Sequence, residues 1–186
     1  MNNGVFVSAL KYSSNFNHDT LVAGIARTYA QRGIAVKSEP GLPGGKRADL
    51  AIAIGNGWTY VEVKTRSSGA LGKRRASLRQ DFLRELLRLR AHSLKQLPKK
   101  ESSLMVVGTS ASPTRRKAIN KIALARSFTG RIFGHDSEKV LGLMLFAPFR
   151  NPRQSSKGWK YASVLIPNPS CRANEESYAK LASVQL

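Results

Sequence analysis

Three side chains with the chemistry of metal-assisted hydrolysis lie close together in the sequence. Asp49, Glu62 and Lys64 fall within one 16-residue segment. A strand would place Glu62 and Lys64 on one face, and GNG (55–57) predicts a hairpin turn that pairs this strand with the one carrying Asp49. Two carboxylates suit Mg²⁺, which lowers the pKa of a bound water and offsets charge on a phosphate. We interpret the three residues as a candidate site for cutting a phosphodiester bond.

Lys64 would orient or deprotonate the attacking water, or offset charge on the phosphate; a general-base role would require the cation. The alternative interpretation is a cross-strand Glu–Lys pair beside a turn-capping Asp. Acidic residues are scarce in this chain, yet two of its 11 lie in this hairpin. That concentration favours the catalytic interpretation.

The surrounding sequence predicts the elements that would position these side chains. Apolar periodicity and composition predict helices over 19–32, 74–97 and 114–127. Alternating or compact apolar segments predict strands over 34–39, 48–54, 58–66, 104–110, 141–148 and 160–167, the last at a sheet edge, and residues 1–17 form an arm or a short strand. The first three strands should form an antiparallel meander, after which the long helix crosses over to the next strand. We expect an α/β fold with a mixed central β-sheet and flanking helices.

The segment RADLAIAIGNGWTYVEVKTR resembles the core of the PD-(D/E)xK nuclease superfamily, which includes restriction endonucleases, Holliday-junction resolvases and exonucleases. Asp49 matches the signature Asp, Glu62 the (D/E) position and Lys64 the Lys, while Ala48 replaces the usual Pro. The resemblance implies a restriction-endonuclease-like fold and hydrolysis that leaves a 5′-phosphate. It also implies one or two Mg²⁺ ions, with Mn²⁺ able to substitute, bound by Asp49, Glu62 and the backbone carbonyl of Val63.

Many members carry a further Glu in the first helix, which here offers only Asp19 at its start. Glu39, before the Pro/Gly loop at 40–47, is the other candidate for an accessory metal ligand, and an ordinary loop carboxylate is the alternative. The histidines at 18, 92 and 135 are far apart in sequence. We interpret each as a surface or packing residue.

The charge of the chain predicts a polyanionic partner. Its 31 Lys and Arg against 11 Asp and Glu give a net charge of +20, which favours nucleic acid, then an anionic membrane surface, over a merely soluble basic protein. The residues expected to contact phosphates are Lys46, Arg47, Arg66, Lys73, Arg74, Arg75, Arg84, Arg88, Arg115, Arg116 and Lys117. Because no base-reading motif accompanies them, binding should be structure-selective or nonspecific, with a steep salt dependence.

Taken together, the sequence predicts a single nuclease domain over 1–186, with a catalytic core at about 19–110 and an extension at 111–186 that completes the sheet and the basic surface. The expected activity is that of a metal-dependent phosphodiesterase, a DNA endonuclease rather than an exonuclease. The alternatives are an inactive basic nucleic-acid-binding protein and an RNA-cleaving toxin on the same fold. A homodimer and a subunit of a larger nucleic-acid-processing complex are both compatible with the sequence.

One cysteine excludes an internal disulfide. The N-terminus carries no signal-peptide pattern, and the apolar runs are too short to span a bilayer. We therefore expect a soluble cytoplasmic protein without a membrane partner.

Overall fold

A computed structural model of the chain describes residues 6–9, 18–65, 78–109, 112, 114–133, 138–149, 160–171 and 175–183. Its strands are β1 (Phe6–Ala9), β2 (Val36–Ser38), β3 (Leu50–Ile54), β4 (Gly57–Thr65), β5 (Ser103–Gly108), β6 (Val140–Phe149) and β7 (Lys160–Pro167). Its helices are α1 (His18–Gln31), α2 (Leu78–Gln96), α3 (Arg115–Arg126), α4 (Thr129–Ile132) and α5 (Glu175–Ser183).

The strands form one seven-stranded sheet in the order β1-β7-β6-β5-β4-β3-β2. Neighbouring strands are antiparallel except for β4/β5 and β5/β6, which are parallel. The predicted α/β class, the mixed sheet and the antiparallel meander of β2, β3 and β4 are confirmed. The chain reaches β5 through α2, as expected for a parallel connection.

Helices cover both faces of the sheet. On one face, α2, α3 and α4 pack through residues such as Leu86, Ile122 and Ile132. On the other, α1 and α5 pack through residues such as Ile25 and Leu181. The central strands β5 and β6 are buried along their whole length, which explains why their sequences are continuously apolar rather than alternating.

The hairpin between β3 and β4 fixes the register at the candidate site. Gly55 and Asn56 form a two-residue turn, with Gly55 at a φ of +62° that favours glycine. Alternation then directs Leu50, Ile52, Val61 and Val63 towards the α1 face, while Tyr60 packs on the α2 face. Glu62 and Lys64 share the side of Tyr60, because they lie two and four residues further along the strand.

One prediction about the elements is wrong. The strand at 160–167 does not lie at a sheet edge, because β1 pairs with β7 from Phe6↔Ser163 to Ala9↔Lys160 and covers it. No helix was predicted for the C-terminal segment that forms α5. Among the described residues, the helices are too short or too polar to cross a bilayer.

Candidate active site

Asp49 lies immediately before β3, where the hairpin ladder stops. The last β3–β4 pair is Leu50↔Val61, so β4 continues beyond its partner and needs another acceptor for its next backbone donor. Asp49 provides it: its Oδ2 accepts a hydrogen bond from the Val63 N–H at 2.7 Å. The carboxylate is thereby held beside β4 at the level of Glu62.

Glu62 is buried against the sheet, with only 1% of its side chain exposed. Its Oε1 accepts a hydrogen bond from Lys64 Nζ. Its Oε2 is buried and has no hydrogen-bond partner among the described residues. A buried carboxylate oxygen without a donor costs free energy unless a cation or a proton reaches it.

Burial raises the pKa of Glu62, and the negative charge of Asp49 raises it further. The hydrogen bond and charge of Lys64 act in the opposite direction but do not cancel the effect of burial. Asp49 accepts from the N–H of Val63, the residue next to Glu62, so the two carboxylates lie near each other. A divalent cation would relieve both the burial cost and this repulsion.

Lys64 is the more accessible member of its ion pair, with 24% of its side chain exposed. Its ammonium group therefore combines a fixed contact with Glu62 and access to solvent. Such a group can meet an anionic substrate without losing its position. The three residues singled out by spacing in the sequence are thus brought together.

His18, the first residue of α1, was predicted to be a surface or packing residue; its side chain is 39% exposed, and it also contacts the candidate site. Its Nε2 lies 3.2 Å from Asp49 Oδ1, a hydrogen bond in which the tautomer protonated at Nε2 is the donor. Asp49 therefore accepts one hydrogen bond on each oxygen, and its orientation is fixed from two sides. The contact joins residues 31 positions apart, and no local pattern predicts such a pairing.

Glu39, the proposed accessory ligand, has a different partner. Its carboxylate lies 3.3 Å from Arg47 Nη1, and both side chains are 71% exposed. Only its backbone N–H reaches the site strand, by donating to the carbonyl of Asp49 at 3.0 Å. Val63 contacts Asp49 through its backbone N–H. Metal binding by the backbone carbonyl of Val63 stays a prediction.

The donor set fits a hard divalent cation. Among the described residues, no group of three or more His, Cys, Asp and Glu side chains is arranged to hold a metal ion. Mg²⁺ does not require one, because it keeps several waters and binds proteins through one or two carboxylates together with substrate phosphates. Asp49 and Glu62 supply two carboxylates, and Glu62 Oε2 is the buried oxygen that a cation would satisfy.

The basic residues predicted to contact phosphates divide into four groups. Arg84 and Arg88 are exposed on α2 and form i,i+3 ion pairs with Asp81 and Glu85. Arg115, Arg116 and Lys117 form the exposed first turn of α3. Arg66, Lys73, Arg74 and Arg75 lie outside the described residues, as does His135.

The remaining predicted contacts, Lys46 and Arg47, lie in the loop before Asp49. Arg47 pairs with Glu39, whereas Lys46 Nζ donates to the backbone carbonyl of Lys95 near the end of α2 at 2.7 Å. Lys46 therefore connects the loop that leads into the site with the basic end of the long helix.

Comparison with known proteins finds no matching family model, no matching curated protein and no matching solved structure.

Proposed function

We propose that this chain is a metal-dependent nuclease with a restriction-endonuclease-like fold, and that it hydrolyses phosphodiester bonds of DNA with little sequence specificity or with selectivity for structure. The observation that carries the proposal is the convergence of Asp49, Glu62 and Lys64 across one hairpin, where Asp49 accepts from the Val63 N–H and Lys64 donates to Glu62. The net charge of +20 supports a polyanionic substrate.

Each residue has a distinct part in the proposed chemistry. Asp49 and Glu62 would hold Mg²⁺, which when bound supplies an activated water and offsets the charge that develops on the phosphate. Lys64, anchored on Glu62 and open to solvent, would orient the attacking water and stabilise negative charge on the phosphate oxygens. His18 would be a positioning residue, because its contact in the site is with Asp49.

The direct test is an incubation of the purified protein with supercoiled plasmid, branched DNA and tRNA, each with Mg²⁺ or with chelator. We expect nicked or linear plasmid only with Mg²⁺. Glu62→Gln and Lys64→Ala should each lower the rate by about 100-fold or more, as is typical for the loss of a group that acts on the reacting atoms.

Matched controls are Glu138→Gln and Lys180→Ala, which change the same residue types at exposed positions in a turn and on α5. Both should cut at the wild-type rate. Cleavage in chelator, or cleavage that survives both site substitutions, would show that the mechanism is wrong. DNA retardation without cutting would favour a noncatalytic binding protein, and cleavage of tRNA alone would favour an RNA-cleaving toxin.

A further inference from the structure

A large cavity, here called the groove, lies outside the candidate active site, between the loop at 40–47 and the C-terminal end of α2. Its volume is about 1010 Å³. Its lining combines an apolar floor, to which Leu42, Leu94 and Leu97 contribute, with a rim of charged side chains. The charged residues are Lys46, Arg90, Lys95, Lys99, Lys100 and Glu101.

The charges of this rim are strongly unbalanced, with five cations against one carboxylate. A cation near the end of α2 has a structural use, since the last carbonyls of a helix carry about half a negative charge. Lys46 already meets that need by donating to the carbonyl of Lys95. The other cations exceed what the helix end can neutralise, so the groove favours an anionic ligand.

The groove is connected to the candidate active site in two ways, once along the chain and once through hydrogen bonding to β4. Lys46 is three residues before Asp49. At the other wall, Tyr60 N donates to the carbonyl of Ser102, the residue after Glu101, at 2.9 Å, and the pKa of Tyr60 is raised first by burial and then by the Glu101 carboxylate. Tyr60 and Glu62 lie on one face of β4, roughly 7 Å apart along the strand, which is about two base-pair steps of DNA.

We propose that this groove binds the phosphodiester backbone of the DNA that leads into the active site, so that Lys95, Lys99 and Lys100 contact phosphates a few nucleotides from the cut. The inference rests on the proposed function for the identity of the polymer. The apolar floor would accept sugars, and the cations around the rim would accept successive phosphates. Contacts of this kind position a duplex without reading its sequence.

The test measures binding in chelator, where no metal-dependent cleavage occurs, by fluorescence anisotropy of a labelled 30-base-pair duplex across a series of salt concentrations. The groove variant carries Lys95→Gln, Lys99→Gln and Lys100→Gln. The matched control carries Arg27→Gln, Arg32→Gln and Lys180→Gln, which remove the same charge from exposed positions at α1 and α5 on the opposite face of the sheet.

Each lost phosphate contact lowers the slope of log K against log salt by about one. We expect the groove variant to lose about two to three in slope and the control to lose less than about one. Equal losses in both variants, or none in the groove variant, would overturn the inference. Thermal melting of both variants shows whether they fold, and Lys99→Gln with Lys100→Gln alone, outside α2, serves as a second variant.

The experiment separates this inference from the proposed function. A groove-specific loss of slope in a protein that cuts nothing would support the groove and contradict the nuclease. Metal-dependent cutting with no groove-specific loss of slope would support the nuclease and contradict the groove as a DNA-binding site.

Discussion

His18 and the Val63 N–H together hold the Asp49 carboxylate, one on each oxygen. A carboxylate has about four acceptor positions, so each oxygen keeps one lone pair for a cation while its direction is fixed. Partners of this kind, which orient a metal ligand without touching the metal, typically contribute 10- to 100-fold to metal affinity. In the proposed mechanism, His18 therefore acts on the site through Asp49.

Replacing His18 should weaken metal binding, and this effect should be measurable without DNA. We expect His18→Ala to lower the affinity for Mn²⁺ or Mg²⁺ by about 10- to 100-fold, measured by calorimetry on the protein without DNA. His18→Gln, which retains an N–H donor, should recover part of the loss. Unchanged or tighter metal binding by His18→Ala would show that the contact with Asp49 has no positioning role.

We expect Glu62 to lower the folding stability of the metal-free protein, although it serves the proposed metal site. Its pKa is raised by burial, so in the metal-free protein its ionisation costs folding free energy at neutral pH. Glu62→Gln removes that charge and should raise the melting temperature at pH 7 in chelator, by the few degrees that about 1 kcal/mol produces in a chain of this length.

The size of this effect depends on pH. A carboxyl whose pKa is higher in the folded state binds more protons when folded, so the stability of the wild type falls as pH rises from its ordinary value through the raised one. Below that window Glu62 is protonated in both states, and the advantage of Glu62→Gln should vanish as pH falls. Glu138→Gln, at an exposed turn, should show no such dependence. An advantage of Glu62→Gln that grows on acidification would contradict this account.

At the scale of elements, the sequence predicts those helices and strands whose apolar residues follow a local pattern. Alternation in 48–54 and 58–66 with a glycine turn between them predicts the β3–β4 hairpin, and with it the approach of Asp49 to Glu62 and Lys64. The long apolar stripe predicts α2, and continuous apolar segments predict β5 and β6. In each case the signal lies within one element or between two that are adjacent in the chain.

Apart from α5, the main features that could not be predicted depend on pairing between distant segments. β1 pairs with β7 across most of the chain, and four residues carry too little pattern to specify that partner. His18 reaches Asp49 only because α1 crosses one face of the sheet with its first residue near the start of β3. The basic groove likewise requires the loop at 40–47 to lie against the end of α2, a contact that Lys46 makes with Lys95.

At the scale of the whole molecule, the net charge of +20 should destabilise the folded chain and strengthen the proposed binding of DNA. Like charges on a compact chain repel each other and destabilise the folded state, and salt screens this repulsion over about 10 Å at 0.1 M and about 3 Å at 1 M. The same salt competes with phosphate contacts, so that six contacts lose about a thousandfold in affinity between 50 and 200 mM.

Added sodium chloride should therefore stabilise the free protein while it releases DNA. We expect the melting temperature in chelator to rise by about 2–4 °C, equivalent to about 1 kcal/mol, over a range of salt in which anisotropy shows DNA affinity falling by orders of magnitude. The variant with Arg27→Gln, Arg32→Gln and Lys180→Gln carries three fewer positive charges, so its melting temperature should rise less with salt. A melting temperature that falls with salt, or an equal rise in that variant, would mean that self-repulsion does not limit the stability of this fold.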